Sequence, residues 1–193
     1  MVARYGARLP LLVGPLIAAF GFVLFAVPAV GGSYWTTFFP AVIVLGLGMA
    51  VSVAPLTTVV MESIDQDRAG TASGINNAVA RVAGLLAIAV LGVVMVTEFG
   101  AHLNRSLANV EMPDGVRSEI RSNEIRLAAL QPPSGVDSGT AVAIKASIVS
   151  AFIFGFRAMM GICAVLAVAS SLVAWRMIPD KTELRFAPSV SKA

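Results

Sequence analysis

The sequence predicts an all-α integral membrane protein with four transmembrane helices. Of its 193 residues, 57% are hydrophobic and only 13% are charged, and the mean hydropathy is +0.83. A soluble domain carries about a quarter charged residues, so this chain has too few to cover itself with a polar surface. Its apolar residues form four runs, each long enough to cross a hydrocarbon core of about 30 Å. These runs predict spans at about residues 9–30, 38–61, 71–96 and 152–177.

The first run, at residues 9–30, follows two arginines, an order that a cleaved signal peptide also shows. The apolar part of a signal peptide is shorter, about 7–15 residues, and further spans follow here, so we prefer a membrane span. An uncharged turn then carries Tyr34 and Trp35, whose rings are typical of a membrane–water interface.

The second run contains small residues at steps of four, Gly46, Ala50 and Ala54. On a helix this spacing forms a ridge that lets a neighbouring helix approach closely, although such ridges are common in membrane bundles. Pro55 removes the backbone hydrogen bond to the Val51 carbonyl, so we expect a kink there.

The third run begins with polar residues on one side of the predicted helix, which we call the polar stripe: Ser73, Asn76, Asn77 and Arg81. Three glycines accompany it as candidate helix-packing positions, namely Gly70, Gly74 and Gly84. The opposite face is aliphatic. Hydrocarbon offers no hydrogen-bond partner, so we expect the polar stripe to face protein or water and the aliphatic face to contact lipid.

Arg81 has two interpretations. A helical side chain leans toward the helix N-terminus, so Arg81 could reach back to Glu62, Asp65 or Asp67 and simply anchor the depth of the helix. Alternatively, Arg81 lines a cavity or forms part of a gate. An unpaired arginine at the membrane centre costs about 2.5–3.5 kcal/mol on insertion scales, so both interpretations supply it with polar neighbours.

Residues 97–151 regain charge and are predicted to form one loop with two short helices. Asp114 can cap the first helix, which would run to about Leu130. The second would start at Asp137 or Ser138 and continue directly into the last span.

Lysine and arginine residues near the span ends predict the orientation. They concentrate at both termini and in the turn at residues 62–70, and this bias places both termini in the cytoplasm. The loop at 97–151 is then extracytoplasmic and the tail at 179–193 cytoplasmic. We therefore expect a multi-pass protein of the cell membrane (the inner or plasma membrane).

Several function classes are not supported. Cys163 and His102 are the only residues of their types, so neither a disulfide framework nor a metal site is predicted. The chain lacks a nucleophile–base pair and a phosphate-binding glycine loop, so we expect neither an enzyme nor a cofactor. The basic residues flank apolar runs, which favours a role in topology over nucleic-acid binding.

Several motifs occur in the order seen in one transporter family: the Gly70–Gly84 segment, Gly46-Leu-Gly48, Ala54-Pro-Leu56, Tyr34-Trp35, Gly155-Phe-Arg157 and the basic start at Arg4–Gly14. The chain resembles the last four spans of the drug:proton antiporter family with fourteen spans, a branch of the major facilitator superfamily. The Gly70–Gly84 segment is the most specific part of this resemblance.

The resemblance implies a partial C-terminal helix bundle of a proton-coupled exporter of amphipathic or cationic small molecules. Such transporters work by alternating access, in which two helix bundles rock about a midplane cavity. The implied partners are the lipid bilayer, a small-molecule substrate, and the remaining transporter helices or an oligomer partner. The alternative is a self-contained four-span scaffold, or a subunit of a hetero-oligomer, without transport activity of its own.

Overall fold

A computed structural model describes residues 8–27, 33–62, 68–108 and 110–177. Within these ranges the regular elements are all helical: α1 (Arg8–Ala26), α2 (Tyr34–Thr37), α3 (Phe39–Glu62), α4 (Ala69–Leu107), α5 (Asp114–Ser122), a 3-10 helix (Glu124–Ala129) and α6 (Ser138–Met177). Four of the helices, α1, α3, α4 and α6, are long and apolar enough to cross a membrane. The predicted all-α fold with four spans is confirmed.

Two of these helices extend well beyond the hydrocarbon. Helix α6 has 40 residues, which at 1.5 Å per residue is about 60 Å, or twice the thickness of a hydrocarbon core. It joins the predicted second loop helix and the last span into one element. Helix α4 likewise continues to Leu107, past the predicted end of the third span near residue 96.

The described residues fall into two compact units. The first contains the described residues within 8–24, 33–79 and 163–177, and the second those within 25–27 and 80–162.

Glycines allow α1 and α3 to pack closely in the first unit. A Cβ atom added to Gly21 would lie 2.8 Å from the Leu45 backbone nitrogen, closer than real Cβ contacts come. A Cβ added to Gly48 would overlap the backbone of Ala18 in the same way. Since lipid chains are as apolar as the side chains, this close van der Waals packing, rather than the hydrophobic effect, holds membrane helices together.

Side-chain hydroxyls satisfy backbone carbonyls within the same unit. Ser171 is buried, and its Oγ donates a hydrogen bond to the Leu12 carbonyl at 2.9 Å, which ties the end of α6 to α1. Ser52 Oγ donates to the Gly48 carbonyl one turn earlier in α3 at 2.7 Å.

Among the described residues, none packs closely on Gly46 of the predicted small-residue ridge, so the packing role of the ridge stays a prediction. A Cβ added to Gly46 would meet no atom within 4 Å, and Ala50 is exposed. Gly48, which lies about 200° around the helix from Gly46 at 100° per residue, makes the contact with α1 instead. Pro55 lies inside α3 and is buried, whereas the side chain of Ala54 lies outside the described part of the chain.

The second unit contains a hydrophobic core built from the chain between the third and fourth spans. Its buried members come from the end of α4, from α5, from the start of α6 and from the connection between them: Phe99, Leu103, Leu107, Ile120, Leu130, Ile144, Ile148 and Ala151. We call this set the loop core. Residues 97–151 are therefore a packed helical structure and not an extended connection.

The first loop helix differs from the sequence prediction in its start and its end. Pro113, not Asp114, occupies the N-cap position, and no side chain caps the helix there. The predicted continuous helix to Leu130 ends at Ser122, and a 3-10 helix with a positive φ of 50° at Leu127 follows. Residues on both sides of this break, Ile120 and Leu130, belong to the loop core.

Polar contacts fasten the loop to the end of α4. The Arg117 guanidinium donates to the carbonyls of Leu107 and Val110, each at 3.3 Å, and so caps the C-terminus of α4. Asn104 Nδ2 donates to Glu124 Oε1 at 2.8 Å. Gly100 leaves space for that carboxylate, because a Cβ added there would lie 2.5 Å from Glu124 Oε2.

The start of α6 agrees with the prediction. Asp137 precedes the helix, and its Oδ2 accepts a hydrogen bond from the Thr140 backbone N–H at 2.9 Å. The Thr140 side chain and this N–H lower the pKa of Asp137, so the cap is charged at neutral pH. The stabilisation is present above the ordinary pKa of the carboxyl and is lost as the pH falls through the lowered value.

We expect Gly48→Leu to destabilise the protein by about 1–3 kcal/mol, because the added atoms overpack the contact of α3 with α1. Gly46→Leu is the matched control: it adds the same side chain to the same helix, but into open space. Thermal melting of the detergent-solubilised chain, followed by size-exclusion chromatography, measures both. Equal decreases in melting temperature for the two variants would contradict the close packing of α3 on α1 at Gly48.

Phe99→Ala should lower the free energy of unfolding by about 3–5 kcal/mol, because Phe99 is fully buried in the loop core and its truncation leaves a cavity. Ile125→Ala removes a similar apolar side chain that is 76% exposed, and it should leave stability nearly unchanged. Limited proteolysis of residues 97–151 provides a local readout, with faster cleavage expected only in the Phe99 variant.

Candidate functional site

The polar stripe lies on one continuous helix. Ser73, Asn76, Asn77 and Arg81 all belong to α4, which is α-helical from Ala69 to Leu107. At 100° per residue, Ser73, Asn77 and Arg81 fall within about 80° of one another, with Asn76 beside them. The residues that sequence analysis grouped therefore share one face of a membrane-spanning helix.

This part of α4 is exposed around its whole circumference. Every residue from 74 to 90 is exposed, a length of about 26 Å. The aliphatic face is as open as the polar one: Ile75 is 60% exposed and Val82 is 56% exposed. The glycines of this segment are open too, since a Cβ added to Gly70, Gly74 or Gly84 would meet nothing within 4 Å. No described helix of this chain packs on either face.

Arg81 makes no hydrogen bond or ion pair with any residue that the structure describes. Two of its three predicted partners, Asp65 and Asp67, lie outside the described residues, and the side chain of Glu62 is not described. Anchoring and cavity-lining therefore both remain predictions. The segment presents an always-charged guanidinium and two amides to surroundings that the described residues leave open.

A second feature, which sequence analysis did not find, is an open groove of about 700 Å³ in the second unit. We call it the α6 groove. One side is a stripe of α6 residues at helical spacing, and α4 contributes His102; the lining residues are His102, Val142, Lys145, Ala146, Val149, Ser150, Ile153, Phe154 and Arg157.

His102 connects the two helices that form the α6 groove. Its Nε2 lies 3.3 Å from Ser150 Oγ, and its ring stacks on that of Phe154 with a centroid separation of 4.6 Å and an interplanar angle of 21°. Helices α4 and α6 approach closely nearby, because Gly155 leaves space for Met95: a Cβ at Gly155 would lie 3.0 Å from the Met95 sulfur. The spacing on α6 was visible in the sequence, but the pairing of α6 with His102 was not.

Arg157, at the membrane end of the α6 groove, also contacts the end of another helix. Its Nη2 donates to the carbonyl of Val27, the residue after α1, at 3.3 Å. A cation at a helix C-terminus is favourable because unpaired carbonyls point toward it. This contact gives Arg157 a structural function.

Metal-binding side chains are not clustered at either feature in the part of the chain that the structure describes. In the described ranges, no group of three or more histidine, cysteine, aspartate or glutamate residues could hold a metal ion. The arrangement instead offers polar groups within apolar surfaces, which suits reversible binding and close contact with other helices.

Comparison with known proteins finds similar chains among drug exporters. The chain is 27% identical over 192 residues to the multidrug resistance protein Stp of Mycobacterium tuberculosis, covering 93% of this chain and 34% of that protein. It is 29% identical over 187 residues to the tetracenomycin C resistance and export protein of Streptomyces glaucescens, covering 94% and 34%. With the drug efflux pump JefA of M. tuberculosis it shares 24% identity over 186 residues, covering 92% and 36%.

The chain thus spans about a third of the length of these relatives. A sequence profile described as the Major Facilitator Superfamily matches residues 1–102. This match and the relatives confirm the resemblance drawn from the motifs. Because the profile covers more than half of the 193 residues, the chain belongs to the Major Facilitator Superfamily.

Proposed function

We propose that this chain is part of a transporter that exports amphipathic or cationic small molecules across the cell membrane by alternating access. The observation that carries the proposal is the alignment of 92–94% of the chain with three proteins named for drug resistance or export. These relatives favour transport over the alternative of a self-contained membrane scaffold. Proton coupling belongs to the proposal through the resemblance of the motifs.

We propose that the polar stripe lines the transport cavity or contacts the other helices of the transporter. In our proposal Asn76, Asn77 and Arg81 face a water-filled cavity or other helices of the transporter, and the aliphatic face of α4 contacts lipid. The exposure of both faces over residues 74–90 supports this arrangement, because a span with an arginine and two asparagines requires polar neighbours. Those neighbours would come from the remaining transporter helices or from an oligomer partner.

The proposal also includes the membrane orientation of the chain and the absence of a chemical reaction. Both termini and the tail at residues 179–193 would lie in the cytoplasm and residues 97–151 outside the cell membrane, as the distribution of basic residues favours. The protein would move its substrate unchanged, so we propose that it is not an enzyme and has no cofactor.

Cysteine labelling tests the two faces of α4. With Cys163→Ala as background, we expect Asn77→Cys to react with a membrane-impermeant maleimide and Val79→Cys to remain unlabelled, because only the first would contact water. The measurement is the labelled fraction in intact cells and in inverted vesicles. Labelling of Val79→Cys alone would contradict the proposed arrangement, since it would place water on the aliphatic face.

Arg81→Leu should reduce export per molecule at least about tenfold, equivalent to about 1.4 kcal/mol, while thermal stability changes little. The reason is the loss of the charge-assisted hydrogen bonds that Arg81 would donate to other parts of the transporter, each worth about 1.5–3 kcal/mol. Retention of ethidium and of tetracenomycin C is measured in cells that express a complete transporter containing this chain and that lack other exporters.

Arg126→Leu removes an exposed arginine of the 3-10 helix and is the matched control. If Arg81→Leu lowers the amount of folded protein but leaves export per molecule normal, the anchoring interpretation is correct and the gate is elsewhere. If cells expressing a complete transporter that contains the unaltered chain retain both compounds like cells without it, the proposed export function is wrong for these substrates.

A further inference from the structure

The α6 groove extends across the predicted start of the last span. Its lining runs from Val142 to Arg157, and the predicted last span starts near residue 152. This prediction puts the outer part of the groove at the depth of lipid headgroups and the inner part at the depth of the upper acyl chains. An occupant that fits this position has a polar end and an apolar end.

The charges of the α6 groove are of one sign. Lys145 and Arg157 contribute positive charges, His102 adds an imidazole ring, and no aspartate or glutamate is among the lining residues. Lys145 is exposed and makes no hydrogen bond or ion pair with the described residues. A lysine side chain leans toward the helix N-terminus, which for α6 is away from the hydrocarbon, so its ammonium lies at headgroup level. This polarity favours an anion and disfavours a cationic compound.

The apolar walls continue inward from these groups. Val149, Ile153 and Phe154 follow Lys145 along α6, and Phe154 lies about 14 Å from Lys145 along the helix axis. That length matches a headgroup phosphate followed by the upper part of an acyl chain. Ser150 and His102 stand between the two ends, at the depth of the glycerol and ester groups.

We propose that the α6 groove binds an anionic phospholipid from the leaflet next to residues 97–151. Lys145 and His102 contact the phosphate, and Val149, Ile153 and Phe154 contact one acyl chain. The site is distinct from the proposed export path, because it uses the opposite end of α4 from the polar stripe. Its occupant is a component of the membrane and not a transported compound.

Native mass spectrometry of the detergent-purified full chain tests this assignment, with phosphatidylglycerol and phosphatidylcholine of identical acyl chains as probes. We expect preferential retention of phosphatidylglycerol. Lys145→Gln should reduce that retention about fivefold, which corresponds to about 1 kcal/mol for one basic group at an anionic lipid surface. Arg126→Gln, which removes an exposed charge outside the groove, should leave it unchanged.

A second variant tests the acyl-chain contact. Ser150 is exposed, so Ser150→Trp can fill the groove without disturbing the loop core and should reduce retention of both lipids. Circular dichroism checks that each variant keeps its helix content. Unchanged retention in the Trp variant would overturn the proposed position.

Three further results would overturn the proposal. Equal retention of the two lipids by the unaltered chain would remove the headgroup preference. Displacement of phosphatidylglycerol by glycerol phosphate at similar concentration would indicate a site for a free anion. Cross-linking of benzoylphenylalanine at position 150 to a polypeptide, and not to lipid, in native membranes would show that another helix fills the groove.

Discussion

Within a membrane, a polar group can hydrogen-bond only with protein or with enclosed water, and this constraint governs the structure. It explains why the described spans are helices, whose backbone groups pair internally, and why Ser52 and Thr57 donate to carbonyls one turn earlier in α3. It also explains why Arg157 meets the open carbonyl end beyond α1. The segment of α4 around Asn77 and Arg81 presents polar groups that no described helix of this chain satisfies.

The two compact units show two different kinds of packing. Between α1 and α3, glycines bring backbones into contact, because helices in lipid gain little from burying apolar surface. Near the ends of α4 and α6, large side chains such as Phe99 and Ile144 fill an ordinary hydrophobic core. That core is typical of a structure surrounded by water, where burial of apolar area is the main driving force.

Much of this architecture could be predicted from the sequence. Long apolar runs identify the four spans because composition alone decides which segments enter a membrane, and Asp137 marks the start of α6. The contact face of α3 could not be assigned, because Gly46 and Gly48 are equally small and only the position of α1 distinguishes them. The break at Leu127 could not be predicted either, because its positive φ occurs at a leucine and not at a glycine, the residue that usually adopts this conformation.

Of the two candidate sites, one could be predicted from the sequence and the other could not. The polar stripe is a local pattern on one helix, so helical spacing suffices to find it. The α6 groove requires His102 and Ser150, which are 48 residues apart, to meet. No periodicity within α4 or α6 contains that information, and a single histidine gave no reason to look for it.

The loop core also bears on how the nascent protein matures. Phe99, Leu103 and Leu107 leave the ribosome well before Ile144 and Ile148, which cover them in the finished fold. A product that stops between these two groups would display uncovered aromatic and aliphatic side chains in water. Proteases and chaperones recognise such exposed residues, so a molecule is protected from both only after the start of α6 has been made and has packed on α4.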